Sequence, residues 1–337
     1  MKIVGSERVL FFDKNVSKKN ALFDKFDFNK KLFFSSGRGA LKIIAKFLKK
    51  KRINLFFPDF YCEEMLNPFK EENIKIYFYH IKKNLKADTS FFKEKNLKHF
   101  AIFITDYFGF ADEQLIKESF NRKILTIRDI THSLLSNFDF KSCDIVTGSL
   151  RKIFPVPDGG FIFTSIKDIT KKNLKKNSFY VEKIISKLYR YIYENYNINK
   201  EYYEKLYVSH STIGEKLIEN IPQKISIFTK NFLKFYDLEY SVKRRRENFL
   251  YLLSEKKIKN YAIFKDLPKD VVPQSFPLII KNRDKLKESL TKDKIFLPIL
   301  WRSKNPISKN IINIPVDEEY SIDDMKKIKE KFNLELI

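Results

Sequence analysis

Short apolar runs recur along the first half of the chain, and stretches with helical spacing separate them. Ile53–Phe57, Ile74–Tyr79, Phe100–Ile104 and Lys123–Ile127 read as strands, as do Ile145-Val146 and Phe161–Thr164. Between them, Ala40, Ile43, Ile44, Phe47 and Leu48 follow a helical period with lysines on the opposite face. Asp59–Leu66 is predicted to open a second helix, and a third spans Glu113–Phe120. Runs that are apolar throughout, rather than alternating, belong to strands covered on both faces. The pattern therefore predicts an α/β fold with a mostly parallel central sheet covered by helices. Ligands of such sheets gather at the carboxyl ends of the strands. The Pro58–Cys62 turn, Asp129 and the loop that carries Lys152 all fall at predicted ends.

The texture changes along the chain. Residues 1–30 have little periodicity and read as a lead-in segment lying across a partner surface. Residues 31–237 form the large predicted domain, including a helical extension over 169–237 with amphipathic stretches at Val181–Tyr193 and Ile225–Tyr236. Residues 238–337 read as a smaller α+β domain that begins with Val242–Leu253 and continues with strands at Pro277–Ile280 and Ile295–Leu297 and helices at Arg283–Leu290 and Ile322–Phe332.

Composition narrows the function. The 337 residues, 43% hydrophobic and 15% aromatic, suffice for packed cores. No apolar run reaches the roughly 18–20 residues that span a bilayer, and the first residues lack a signal-peptide core. A cytoplasmic protein is expected. Cys62 and Cys143 are too few and too far apart for a disulfide framework or a cysteine zinc site. His80, His99, His132 and His210 show no metal-ligand spacing. The net charge of +24 raises the possibility of a basic nucleic-acid-binding protein without a cofactor. The lysines, however, are spread along the whole chain and form no single arm, so no nucleic-acid partner is expected.

Two stretches carry chemistry. In Ser149–Gly160 a lysine, Lys152, sits on a loop between two strands and before a Gly-Gly pair. A lysine held among apolar groups loses solvation, its pKa falls, and its amine can form a Schiff base with an aldehyde. At Ser35-Ser36-Gly37-Arg38-Gly39 a helix begins, capped by Ser35 or Ser36. Its free N–H groups, positive dipole end and arginine suit a phosphate. A dinucleotide fingerprint fits poorly, because Lys42 stands where the third glycine belongs.

The order of these segments resembles the DegT/DnrJ/StrS family of sugar aminotransferases, fold-type I pyridoxal-phosphate (PLP) enzymes. The resemblance rests on Ser36-Gly37-Arg38-Gly39-Ala40-Leu41 for the family's Ser-Gly-Thr-x-Ala-Leu, and on the turn Pro58-Asp59-Phe60-Tyr61. It rests further on Tyr107–Asp112, on Arg128-Asp129-Ile130-Thr131-His132, and on Ser149, Lys152 and Pro157-Asp158-Gly159-Gly160. Arg244–Phe249 and Ile314–Asp317 extend it through the C-terminal half. Arginine replaces the family's threonine at Arg38 and its acid at Arg128, which marks a divergent branch.

The resemblance implies a PLP-transferase fold and a role for each matching residue. Lys152 would form the Schiff base and shuttle the proton. Asp129 would pair with the pyridine nitrogen, at about 4 kcal/mol for charges ~4 Å apart in an effective dielectric near 20. His132 would bond the phenolic oxygen, and Ser149, Gly37 and Arg38 would hold the phosphate. Phe60 or Tyr61 would stack on the ring. The implied reaction moves an amino group from a glutamate-like amino acid to a keto-sugar, nucleotide-linked, in surface polysaccharide or glycan synthesis. The implied assembly is a homodimer. The alternatives are different PLP chemistry or an inactive homologue on the same fold. Lys152 speaks against the family's dehydratases, which have histidine at that place.

Overall fold

The computed structural model describes residues 4–5, 22–93, 97–171, 174–301 and 303–335. Most of the predicted lead-in, residues 1–3 and 6–21, lies outside the described residues. In chain order the elements are β1 (Val4–Gly5), β2 (Lys30–Phe34), α1 (Gly37–Lys51), β3 (Asn54–Pro58), α2 (Glu63–Glu71), β4 (Ile76–Tyr79) and β5 (Phe100–Thr105). They continue as α3 (Glu113–Asn121), β6 (Leu125–Asp129), β7 (Ile145–Ser149), β8 (Gly160–Thr164), α4 (Phe179–Asn195), α5 (Lys200–Lys216) and α6 (Ile227–Phe235). The C-terminal part holds α7 (Leu238–Ser254), α8 (Lys256–Tyr261), β9 (Ser275–Ile279), α9 (Arg283–Lys292), β10 (Ile295–Phe296), β11 (Ile311–Pro315) and α10 (Ile322–Glu335).

A seven-stranded sheet runs in the order β2-β8-β7-β6-β5-β3-β4. The five strands from β7 to β4 are mutually parallel, whereas β8 and β2 are antiparallel to their neighbours. The continuous apolar runs are explained by two cores, one on each face. Phe57, Phe103, Ile127, Ile145 and Ile162 pack with α1 on one side. Their alternates Phe56, Ile102, Ile104, Val146, Phe161 and Phe163 feed the other core.

A third core joins α7, α8, α9 and α10 to the antiparallel pair β9–β11 and the parallel pair β1–β10. Where described, the lead-in packs on its own chain. Val4 pairs with Ile295, and Phe26, fully buried, lies 4.8 Å from Phe163. Lys25 fastens the same segment by donating to the carbonyls of Leu134 (2.8 Å) and Ser136 (2.7 Å). No described helix is long and apolar enough to cross a membrane.

Candidate active site

The carboxyl ends of β5, β6 and β7 meet the N-terminus of α1 around a cavity of about 580 Å³. This is the position the alternating pattern predicts for a ligand. Helix α1 starts where the sequence places it. Of the two candidate caps, Ser36 does the capping: its Oγ accepts the Gly39 N–H at 3.0 Å. Gly37 and Arg38, whose first-turn N–H groups have no intrahelical acceptor, line the cavity. That turn carries no acidic side chain. It is set close against β7 and β8. A Cβ on Gly37 would lie 3.3 Å from that of Ser149, and one on Gly160 would lie 2.1 Å from the Ser36 carbonyl oxygen. The glycine at 160 is therefore required by the approach of α1.

Asp129 ends β6, with Thr105 and Thr147 as its strand neighbours. Its Oδ1 accepts the Thr131 N–H at 2.8 Å. Burial pushes its carboxyl up to about 6, although the Thr131 hydrogen bonds pull the other way. Beneath it, Arg128 is fully buried and forks onto Asp106, with Nε 3.1 Å from both carboxylate oxygens. Phe138 and Phe140 flank that guanidinium at 5.1 and 4.9 Å. The arginine preceding Asp129 thus belongs to a supporting ion pair and not to the cavity lining.

His132 lies one turn farther on. The Phe108 N–H donates to its Nδ1 at 3.3 Å, which puts the ring proton on Nε2. Burial, then the charge of Lys152, push its pKa down to about 3, so the imidazole is neutral. Trp301 lies parallel to it, ring centres 5.3 Å apart and planes at 4°.

Lys152 closes a short 3-10 turn, Leu150–Lys152, that leaves β7. The structure corrects one expectation here. Lys152 itself is exposed at the cavity, while Leu150, Ile153 and Phe154 around it turn into the core. The apolar neighbours anchor the loop without enclosing the amine. Arg151, next to it, donates to Glu215 of α5 at 2.8 Å, and Lys183 of α4 reaches the same oxygen at 2.7 Å. Asp158, fully buried, fixes the far side of the loop by accepting from Asn177 Nδ2 (2.6 Å), the Ser226 N–H (2.7 Å) and the Ser226 hydroxyl (2.7 Å).

Six of the eight predicted site residues line this one cavity: Lys152, Asp129, His132, Ser149, Gly37 and Arg38. Phe60 and Tyr61 do not. Phe60 is fully buried behind the wall, 5.1 Å from Trp301 and 5.4 Å from Tyr107. Tyr61 stacks on Phe78 at 5.5 Å. From that turn it is Cys62 that faces the cavity, its thiol pushed up to about 12 by burial and by the Glu64 carboxylate at 2.8 Å. Trp301 and Glu215 also line it and were not anticipated. Trp301 had one signal, being the single tryptophan of the chain. Glu215 had none, because it arrives on a distant helix.

No family model matches this sequence, and no curated protein matches it. Solved structures do. Helicobacter pylori PseC, an aminotransferase of pseudoaminic acid biosynthesis, is 16% identical with a TM-score of 0.64, over 98% of each chain. A structure from Streptococcus pneumoniae described as a sugar aminotransferase, in its PMP form, is 12% identical with a TM-score of 0.67, over 94% of this chain and 90% of that one. The GDP-4-keto-6-deoxymannose-3-dehydratase ColD, bound to GDP-perosamine, is 16% identical with a TM-score of 0.63, over 93% and 90%. The chain has the fold of the sugar aminotransferases.

Proposed function

We propose that this protein is a PLP-dependent aminotransferase that passes an amino group from a glutamate-like amino acid to a keto-sugar, nucleotide-linked, for glycan synthesis in the cytoplasm. The observation that carries this reading is Asp129: a buried carboxylate whose charge burial disfavours, in the same cavity as Lys152 and a neutral His132. A protonated pyridine nitrogen would relieve that carboxylate, so the residues fit the cofactor. PLP, when bound, supplies the electron sink for the amino-acid carbanion.

The remaining work falls to the chain. Asp129 would keep the ring nitrogen protonated. His132 would donate its Nε2 proton to the phenolic oxygen. The N–H groups of Gly37 and Arg38 and the Ser149 hydroxyl would hold the phosphate, with the Arg38 guanidinium adding charge. Lys152 would supply the amine that holds the aldehyde carbon, and its Nζ would hold and move the proton at the substrate carbon. Trp301, with Phe60 5.1 Å away, is the aromatic group of the cavity lining that would meet the ring. We assign cofactor binding to residues 31–237 and the smaller domain to 238–337. We also assign a homodimer, in which α4 and α5 form part of the contact. Leu188, Tyr191, Val208 and Ile213 on these helices are each at least 40% exposed.

The test is an absorption spectrum of the protein mixed with PLP, beside Lys152→Ala. A visible band present in the wild type and absent from the variant is expected. Identical spectra would refute the reading.

A further inference from the structure

We propose that Arg245 is a positioning residue for Lys152, one that fastens the lysine's backbone to the C-terminal core. The proposal rests on the reading of Lys152 as the reactive amine.

The turn that carries the lysine uses few of its own hydrogen bonds. The N–H groups of Ile153 (3.1 Å) and Phe154 (2.8 Å) both return to the Leu150 carbonyl. The carbonyl of Ile153, one peptide beyond Lys152, is met instead by Arg245, whose Nη2 donates to it at 3.1 Å. The same nitrogen lies 3.0 Å from Glu318 Oε2. Nη1 donates to the Gln274 carbonyl at 3.4 Å, and Nε to the Ser241 hydroxyl at 3.3 Å. One guanidinium, 1% exposed, thus spans four acceptors. Gln274 lines the cavity, Ser241 belongs to α7, and Glu318 sits between β11 and α10.

Glu318 is the meeting point. It also accepts the Ser241 hydroxyl at 3.0 Å and the Tyr236 hydroxyl. The ring of Tyr236 packs edge-on against Phe154, centres 5.2 Å apart at 79°. Both residues after Lys152 are therefore gripped by groups that converge on one carboxylate of the C-terminal core. On the other side, Arg151 is tied to Glu215.

A buried ion pair is a poor source of stability, because desolvation offsets most of the attraction; an apolar pair of similar volume does as well or better. What a forked guanidinium adds is fixed geometry, and a lysine offers its donors from one point and cannot reproduce that span. A movement of α7 or of the Glu318 turn against the sheet displaces the Ile153 carbonyl, and Lys152 with it.

The test uses Arg245→Lys, which keeps the charge opposite Glu318 and loses the fork. Arg246→Gln serves as control, since among the described residues Arg246, on the same helix, bonds the carbonyls of Pro268 and Val271 and no group of the Lys152 turn. In the cofactor-free protein, Lys152 is labelled with an amine-reactive reagent over a pH series, and the labelled peptide is quantified by mass spectrometry. Arg245→Lys is expected to shift the labelling rate of Lys152 from the wild-type value across the pH series, because the turn that presents the lysine at the cavity is held by Arg245. Arg246→Gln is expected to match the wild type.

An Arg245→Lys protein with a lowered melting temperature but an unaltered Lys152 labelling profile would make Arg245 purely structural and overturn the proposal. If Arg245→Lys does not fold, Tyr236→Phe takes its place. It removes only the hydroxyl from Glu318 and keeps the ring on Phe154; a smaller change in labelling is expected, and none would overturn the proposal. Labelling requires no cofactor. If the wild type gives no visible band with PLP while the variant's labelling still changes, the cofactor reading fails and the role of Arg245 stands.

Discussion

Asp129 is only 5% exposed, and burial lifts its carboxyl from 3.8 to about 6. The folded protein therefore binds this proton more tightly than the unfolded chain does. Its contribution is favourable at low pH, declines as pH rises through the window from about 4 to 6, and stays unfavourable above it. Two pKa units correspond to about 3 kcal/mol. Asp129→Asn, whose amide oxygen can still accept the Thr131 N–H, should accordingly raise the melting temperature of the ligand-free protein at pH 8 and have little effect at pH 4. Scanning calorimetry at the two pH values decides; no gain at pH 8 would mean that the carboxylate is already compensated. His132 has the opposite slope. Its pKa falls from 6.5 to about 3, so its contribution is complete above 6.5 and is lost as pH drops toward 3. Over pH 4–6 the two residues offset one another, and a flat wild-type profile there would conceal two titrations.

Helix α1 joins the cavity to the sheet through two small residues that do different things. Ser36 supplies a hydrogen bond to the helix start, so Ser36→Ala should lower the unfolding free energy by about 1 kcal/mol. Gly160 supplies room, and Gly160→Ala should cost more, about 3 kcal/mol, because a Cβ meets backbone that cannot step aside. Urea titrations give both values, and a neutral Gly160→Ala would show that β8 and α1 can separate. Elements such as these were legible in the sequence where pattern decides the structure. The strands β3 to β8 and the helices α1, α3 and α4 lie where apolar runs and helical spacing place them. Helix α2 begins at Glu63, later than expected, because Asp59 is spent on the turn, accepting the Ile81 N–H at 2.9 Å and Asn305 Nδ2 at 2.6 Å. Strand β11 was not read as a strand, and α5 offers little to read: Gly214 is its only buried residue. The site divides in the same way. Lys152 and Asp129 are local to predicted strand ends and are legible from the pattern, whereas His132 enters only through the family resemblance. Trp301, Glu215 and Arg245 come to the site from far along the chain, and no local pattern announces such contacts.

For the whole molecule, the net charge of +24 acts against self-association, and an interface has to overcome it with apolar area. In the proposed dimer, exposed apolar side chains of α4 and α5 supply part of that area. Leu188→Lys combined with Val208→Lys should move the protein from dimer to monomer in sedimentation velocity. A dimer that survives both changes places the contact elsewhere, and a wild-type monomer removes it altogether.

The pairing pattern also sets an order of assembly. Among the described residues strand β2 pairs only with β8, with Lys30 opposite Thr164, and Val4 waits for Ile295. Contacts this distant in sequence close late and slowly. On a ribosome, the apolar run Leu32-Phe33-Phe34 emerges long before its sheet neighbour does, with both edges open to any other strand. The strand that later borders the start of α1 is thus, during synthesis, open to mispairing until β8 has emerged.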